Sequence, residues 1–359
     1  MAGQIEIIGQ TKGTEAPLSR VHRWELKAGI TRTPEFEKKG LATHAVNVGT
    51  KCGHGCLYCS TGAVLRTHAS FRACGENPFG SGYAIIDPTT PERVARDAKR
   101  VQRRGLVQLC TFTDAWAPEA HEHHLGRRCL EAVLSQPDWA VRILTKNATI
   151  RDDFDFLEKH RDRVLVGVSI TAALHRGASI QLLEPNASFI QDRMLTMVEA
   201  AARGLRTYAM LCPLLPEIAD SEEDIHRLIK FAVDCRAEEI FVEPVNPRGP
   251  ALRLCQQALE QNGCRAGADG IGRIRQRANW SSHVVRLVST VQRAVRERSD
   301  ISKLRFLLYP SGLLPEDREK LERDDAGLVV HDGCLWDEPS GGCGGMVFYG
   351  RKDSLAENS

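Results

Sequence analysis

Lys51-Cys-Gly-His-Gly-Cys-Leu-Tyr-Cys-Ser60 places three thiols, Cys52, Cys56 and Cys59, within eight residues. The run Ala45–Val48 before it is apolar and reads as a β-strand, so the thiols follow a strand's C-terminal end. Thiolates hold iron–sulfur clusters, and glycines at 53 and 55 let the backbone curl around one. Three local thiolates leave one iron of a four-iron cluster without a protein ligand. The competing reading is zinc, which wants four donors, usually as paired knuckles. The fourth would then be His54, Cys74 or a distant cysteine. The spacing favours the cluster, and zinc stays open at this point.

Outward from the loop, apolar runs recur at Leu106–Phe112, Val141–Thr145, Val164–Ile170, Thr207–Cys212 and Glu239–Val245. Between them lie stretches with apolar residues three and four apart, at Pro91–Gly105, Pro118–Leu134, Phe189–Gly204 and Ser221–Cys235. Thr90 before Pro91 suits a helix start, and Ser221 with Asp224 suits a capping pattern. Gly105 and Gly204 stand where a helix ends.

Six strands, each followed by a helix or crossover, predict an α/β fold with a parallel sheet and right-handed connections. The repeats suit a partial (β/α)6 TIM-type barrel, with chemistry at the C-terminal ends of its strands. A doubly wound open sheet is the alternative that periodicity cannot separate. The expected organisation is an N-terminal extension over 1–43, a core over 44–250 and a C-terminal extension over 251–359. That last part reads as α/β: Ala251–Gln261, Ser282–Arg298, Leu304–Tyr309, Pro315–Arg323, Val329–Val330 and a glycine-rich tail with Cys334 and Cys343.

The 359 residues hold 48 basic and 46 acidic side chains, a near balance that does not mark a general nucleic-acid binder. No apolar run approaches the roughly 20 residues that span a bilayer. Residues 1–17 are polar, without the apolar segment of a secretory signal. The expectation is a cytoplasmic protein without a membrane partner. Its twelve cysteines then point to metal or redox chemistry rather than a disulfide framework.

The CxxxCxxC spacing resembles the signature of the radical S-adenosylmethionine (SAM) superfamily. Further stretches resemble its spore photoproduct lyase-like branch: Thr113-Asp-Ala-Trp-Ala-Pro-Glu119, Arg127-Arg-Cys-Leu-Glu131, Ile143-Leu-Thr-Lys-Asn147 and Arg151-Asp152. The resemblance covers most of residues 44–245. It implies a [4Fe–4S] cluster on Cys52, Cys56 and Cys59, whose open iron chelates the amino and carboxylate groups of SAM. Reductive cleavage of SAM to a 5′-deoxyadenosyl radical follows, with hydrogen abstraction from a substrate and an external one-electron donor such as flavodoxin or ferredoxin. The branch suggests nucleic-acid repair or base modification. Modification of a protein or small metabolite is the second reading, and a non-catalytic cluster-bearing sensor the third.

The resemblance also implies roles for single residues. Tyr58 stands where members carry an aromatic residue near the adenine. Thr113 and Asp114 end the second strand, Lys146 the third, and Ser169 with Thr171 the fourth. Lys146 and Ser169 would hold the carboxylate end of SAM, by charge and by directional hydrogen bonds. A cysteine beside the second strand donates a hydrogen atom in spore photoproduct lyases. Cys110 lies one residue further from Asp114 than that pattern places it, and a one-residue slip turns a strand side chain to the opposite face. Hydrogen donor and ordinary core residue are both open for Cys110. Glu184-Pro-Asn186 with Arg193 matches a branch pattern that either braces the strand ends or contacts SAM.

Other groups read more plainly. Cys255 and Cys264 are nine apart, as are Cys334 and Cys343, which suits an auxiliary cluster, a redox pair, or neither. Cys129, Cys212 and Cys235 sit in periodic stretches as packing residues. His121, His123 and His124 lack an HExxH arrangement and read as a solvated helix face. The basic stretches Arg93–Arg104 and Arg273–Arg298 suit phosphate contacts or solvated helix faces.

Overall fold

The structure, a computed structural model, describes residues 6–11, 19–37, 41–323, 329–334 and 344–349. It divides into two compact units, one of residues 1–168 with 181–206, the other of residues 169–180 with 207–359.

The strands leading through the first unit are β1 (Glu6–Thr11), β2 (Ser19–Arg23), β3 (Thr31–Arg32), β4 (His44–Val46), β5 (Gly49–Lys51), β6 (Tyr83–Ile86), β7 (Leu106–Leu109), β8 (Ala140–Thr145) and β9 (Val164–Ser169). One sheet runs β9-β8-β7-β4-β3, parallel throughout except for the antiparallel β3 at its edge. The other runs β1-β2-β6-β5, with β2 and β6 parallel. β9 is buried along its whole length, which is why it reads as an unbroken apolar run rather than an alternation. In β8, Val141 and Ile143 join Val46, Val107, Leu109 and Val166 in one apolar cluster. Trp116 and Trp139 fill that cluster fully buried, each with its ring N–H bonded: Trp116 to Asp153 at 2.8 Å, Trp139 to the Ala98 carbonyl at 3.1 Å.

In the second unit β10 (Arg206–Leu214), β11 (Ile240–Pro244) and β12 (Leu304–Leu308) pair in parallel. β14 (Gly344–Tyr349) then adds antiparallel to β12, and β13 (Val329–Cys334) to β14. The α/β class and the parallel β/α series are therefore present, in a mixed rather than purely parallel arrangement. Six predicted strands fall on β4 and β7–β11.

Local departures have physical causes. The stretch expected as one helix over Pro118–Leu134 is two, Pro118–Glu122 and Leu125–Leu134, because His124 takes a left-handed conformation (φ 50°). The helix expected to reach Gly105 ends at Arg100. Gly105 serves packing instead, since a Cβ there would stand 2.6 Å from Thr43 Oγ1. Thr90 lies inside its helix, and Thr89 precedes it without a side-chain cap bond. Ser221 does cap its helix: Oγ accepts from Asp224 N at 3.1 Å and donates to the Asp224 carboxylate at 2.6 Å. Gly204, at φ 71°, closes Ile190–Ala202. The long basic helix begins earlier than expected, spanning Arg277–Arg296. Within residues 1–43, Ser19–Arg23 pairs with β6 and Thr31–Arg32 with β4.

No helix among the described residues is long and apolar enough to cross a membrane.

Candidate metal centre

The cysteine loop does not leave β4 directly. After Val46 the chain crosses to the second sheet and forms β5, a strand the sequence reading did not contain. Gly49 is required at the crossing, because a Cβ would lie 2.2 Å from the Ile85 carbonyl oxygen. Asn47 holds the crossing to the end of β7, its side-chain oxygen accepting from Thr111 N (2.8 Å) and Phe112 N (3.1 Å). Lys51 closes β5 with its ammonium on the Pro78 carbonyl, 3.1 Å away.

Cys52, Cys56 and Cys59 follow, all half-buried with free thiols. The loop turns through a bond from Cys59 N–H to the Cys56 carbonyl (3.1 Å). Of the two glycines, Gly55 takes the left-handed conformation (φ 67°). Burial pushes the Cys52 thiol up, with Glu119 and the other two thiols adding to it; burial likewise takes Cys56 to about 12. Three thiols on one loop are a donor set that would become thiolate on binding cationic iron. Among the described residues, no three His, Cys, Asp or Glu side chains converge as they would on a single metal ion. A four-iron cluster has no such requirement, because each thiolate takes a different iron. The residues present fit that group. Cys74, weighed as a fourth zinc donor, packs instead against the Phe71, Tyr83 and Ile85 cluster.

Beneath the loop lies a buried charge network. Glu184 is fully buried and paired with the equally buried Arg193. Its other oxygen accepts from the Tyr58 hydroxyl and stands 3.3 Å from the Lys146 ammonium, which lies 5.6 Å from the Tyr58 ring centroid. Burial pushes the Glu184 carboxyl up, but Arg193 and Lys146 outweigh it and hold it at about 2. Burial and the same carboxylate push the Tyr58 phenol up. Tyr58, Lys146 and the Glu184–Arg193 pair are thus brought together with the cysteine loop.

Asp114 lies five residues beyond the end of β7 at Leu109. It accepts from Thr145 Oγ1 (2.9 Å), Lys146 N (2.8 Å) and Trp116 N (2.9 Å), and lies 3.7 Å from His54 Nδ1. The carboxylate braces the end of β8 against the turn 114–116. Thr113 turns its hydroxyl to the Cys110 sulfur (3.4 Å). Cys110 sits at φ 65° just beyond β7, inside the apolar cluster with Val46, Val48 and Trp116, its thiol pushed by burial to about 12. Ser169 and Thr171 fall in the second unit, both buried.

The remaining candidates separate. Cys255 is fully buried in the helix Ala251–Gln261, whereas Cys264 caps the next helix with its sulfur 4.0 Å from Ser179 Oγ. Cys334 ends β13, and Cys343 lies outside the described residues. His121 meets Asp152 (3.5 Å) at the surface. Several arginines of the basic stretches are already paired: Arg93 with Asp87 and Glu25, Arg273 with Glu217, Arg286 with Asp220, Arg293 with Glu222.

Two site residues were not singled out by the sequence. Glu119 accepts from Gly53 N–H at 2.7 Å, and Asn186 donates to the Gly53 carbonyl at 2.9 Å. Both were visible only as letters in the quoted motifs. Burial pushes Glu119 up to about 7 against the stabilising Gly53 N–H. His54 Nε2, Glu119 Oε2 and Asn186 Oδ1 are buried without a hydrogen-bond partner.

No family model matches the chain. An uncharacterized protein, ORF301 of Acidianus two-tailed virus, is 24% identical over 222 residues, covering 60% of this chain and 71% of its own. Among solved structures, a spore photoproduct lyase variant superposes with a TM-score of 0.52 at 14% identity, covering 77% of this chain and 78% of its own. Spore photoproduct lyase complexed with dinucleoside spore photoproduct gives 0.50 at 14%, covering 74% and 76%. At these identities the likeness establishes the fold, which agrees with the branch resemblance read from the motifs.

Proposed function

We propose that this chain, with the fold of spore photoproduct lyase, is a radical SAM enzyme acting on nucleic acid. The observation that carries the reading is three half-buried free thiols on one loop, beside a buried network that presents a lysine and a tyrosine. A [4Fe–4S] cluster on Cys52, Cys56 and Cys59, reduced by a one-electron donor such as flavodoxin or ferredoxin, supplies reductive cleavage of SAM to methionine and a hydrogen-abstracting 5′-deoxyadenosyl radical. The partial-barrel reading of the β/α repeats belongs to the same proposal.

The chain's own residues bind and orient. Lys146 offers its ammonium to the carboxylate of SAM, and Glu184 holds that ammonium in place while Arg193 neutralises the rest of the glutamate's charge. Tyr58, tied to Glu184, offers its ring to the adenine. Asp114 fixes the backbone from which Lys146 projects. The nucleic-acid substrate is supported by the branch motifs and by a fold shared with a lyase complexed with a dinucleoside photoproduct.

Anaerobically reconstituted protein should release 5′-deoxyadenosine from SAM with dithionite, faster when the right DNA or RNA is present. A cluster-loaded sample that cleaves no SAM sinks the enzyme reading. Cleavage indifferent to every nucleic acid tried, yet stimulated by a peptide or metabolite, replaces the substrate class.

A further inference from the structure

We propose that Glu119 and Asn186 are positioning residues that hold the Gly53 backbone at its N–H and its carbonyl and set the cysteine loop in its ligating shape before iron enters. This rests on the radical SAM reading.

The loop from Cys52 to Cys59 has little regular structure to satisfy its own backbone, and buried peptide groups must be bonded somewhere. Its bonds run outward to distant segments. Gly53 N–H goes to Glu119 Oε1 (2.7 Å) and Gly53 C=O takes the Asn186 amide (2.9 Å). The Asn186 backbone N–H in turn donates to the His54 carbonyl (3.1 Å), and Leu57 N–H to the Leu183 carbonyl (3.0 Å). Pro185 stands 3.3 Å from where a Gly55 Cβ would be, so the strap 183–188 lies against the turn as well. Glu119 and Asn186 are themselves buried.

The same strap is bonded to the end of β8. Ser188 N–H donates to the Lys146 carbonyl (3.1 Å), Ala148 N–H to Ser188 Oγ (2.9 Å), and Ser188 Oγ to Asn147 Oδ1 (3.2 Å). One short segment therefore registers the thiols against the lysine, and Glu119 holds the Gly53 N–H. A loop ordered in advance loses less freedom when its ligand arrives, which is the general advantage of a supporting shell around a metal site.

The test uses full-length protein in two states. In the metal-free state, hydrogen–deuterium exchange of residues 51–60 is followed for wild type, Glu119→Ala, Glu119→Gln and Asn186→Asp. Glu119→Ala and Asn186→Asp should speed loop exchange by about an order of magnitude while β8 stays protected. Glu119→Gln keeps an acceptor oxygen and should stay close to wild type. After anaerobic reconstitution, the first two variants should lose iron to a chelator roughly 10-fold faster. Wild-type rates in both would overturn the proposal, as would equal loss of protection in the loop and in β8, which marks a merely structural role. Should Glu119→Ala not fold, Asn186→Asp decides. If wild type takes up no cluster, the radical SAM reading falls, while metal-free exchange still judges the grip.

Discussion

Cys52, Cys56 and Cys59 in one unit and Cys255 with Cys264 in the other are both regularly spaced sets, yet the structure treats them oppositely. The first three stand on a loop between β5 and the short helix Thr61–Val64, half-buried, with outside segments bonding the backbone between them. Of the second pair, Cys255 is swallowed by a helix core while Cys264 opens the next helix. The backbone between the first three thiols is free of helix and held by other segments, whereas most of that between the second pair is helical. The same contrast holds for charge: unit one buries both Glu184 and Arg193 completely, whereas Arg286 and Arg293 of the long helix in unit two stay exposed in their pairs.

The largest effect should come from the first contrast. Cys56→Ala should abolish cluster absorbance and SAM cleavage, while Cys264→Ala leaves iron content unchanged; iron lost from the second variant would break the comparison. Next, Arg193→Ala leaves Glu184 buried without its guanidinium and should cost about 3–5 kcal/mol in denaturant titrations. Arg286→Ala, removing a pair whose arginine is 67% exposed, should cost under about 1 kcal/mol. Equal costs would show that burial is not what separates the two pairs.

Acid should sharpen the contrast further. Burial, then Arg286, lowers the His283 imidazole from 6.5 to about 4. As pH falls through that window the unfolded chain takes up a proton that folded unit two refuses, so its stability drops. Glu119 in unit one is raised from 4.5 to about 7, so over pH 7 to 4.5 the metal-free folded unit takes up the proton and gains stability. Glu184, lowered from 4.5 to about 2, costs unit one its contribution only below 4.5. Each shift is worth on the order of 3 kcal/mol, so His283→Gln should flatten the loss of stability as pH falls from 6.5 to about 4. Denaturant titrations across that range check this, and an unchanged pH dependence in the variant would refute it. Lys146→Ala is expected to keep its cluster and weaken SAM binding about 10–100-fold by calorimetry, the worth of one charge-assisted hydrogen bond.

Legibility followed range. The periodic stretches around Val141–Thr145 and Val164–Ile170 were readable because an apolar face repeats locally whatever it packs against. β5 was not, since three residues carry no period, and its reason for existing is the sheet edge offered by β6. Asp114 was expected to end a strand, but β7 stops at Leu109, and its carboxylate meets Thr145 and Lys146, which another strand supplies. Gly105 signalled a helix end and instead admits Thr43.

By itself, then, the sequence determined the α/β alternation, the three thiols and the lysine and glutamate that accompany them, because each is a matter of residue type and short spacing. Tertiary structure alone decided how the thiol loop is held, which carboxylates brace and which pair, and that Gly53 is held by partners 66 and 133 positions away. Hydrogen-bond partners at that range exist only once the chain has closed around its core, and residue spacing carries no record of them.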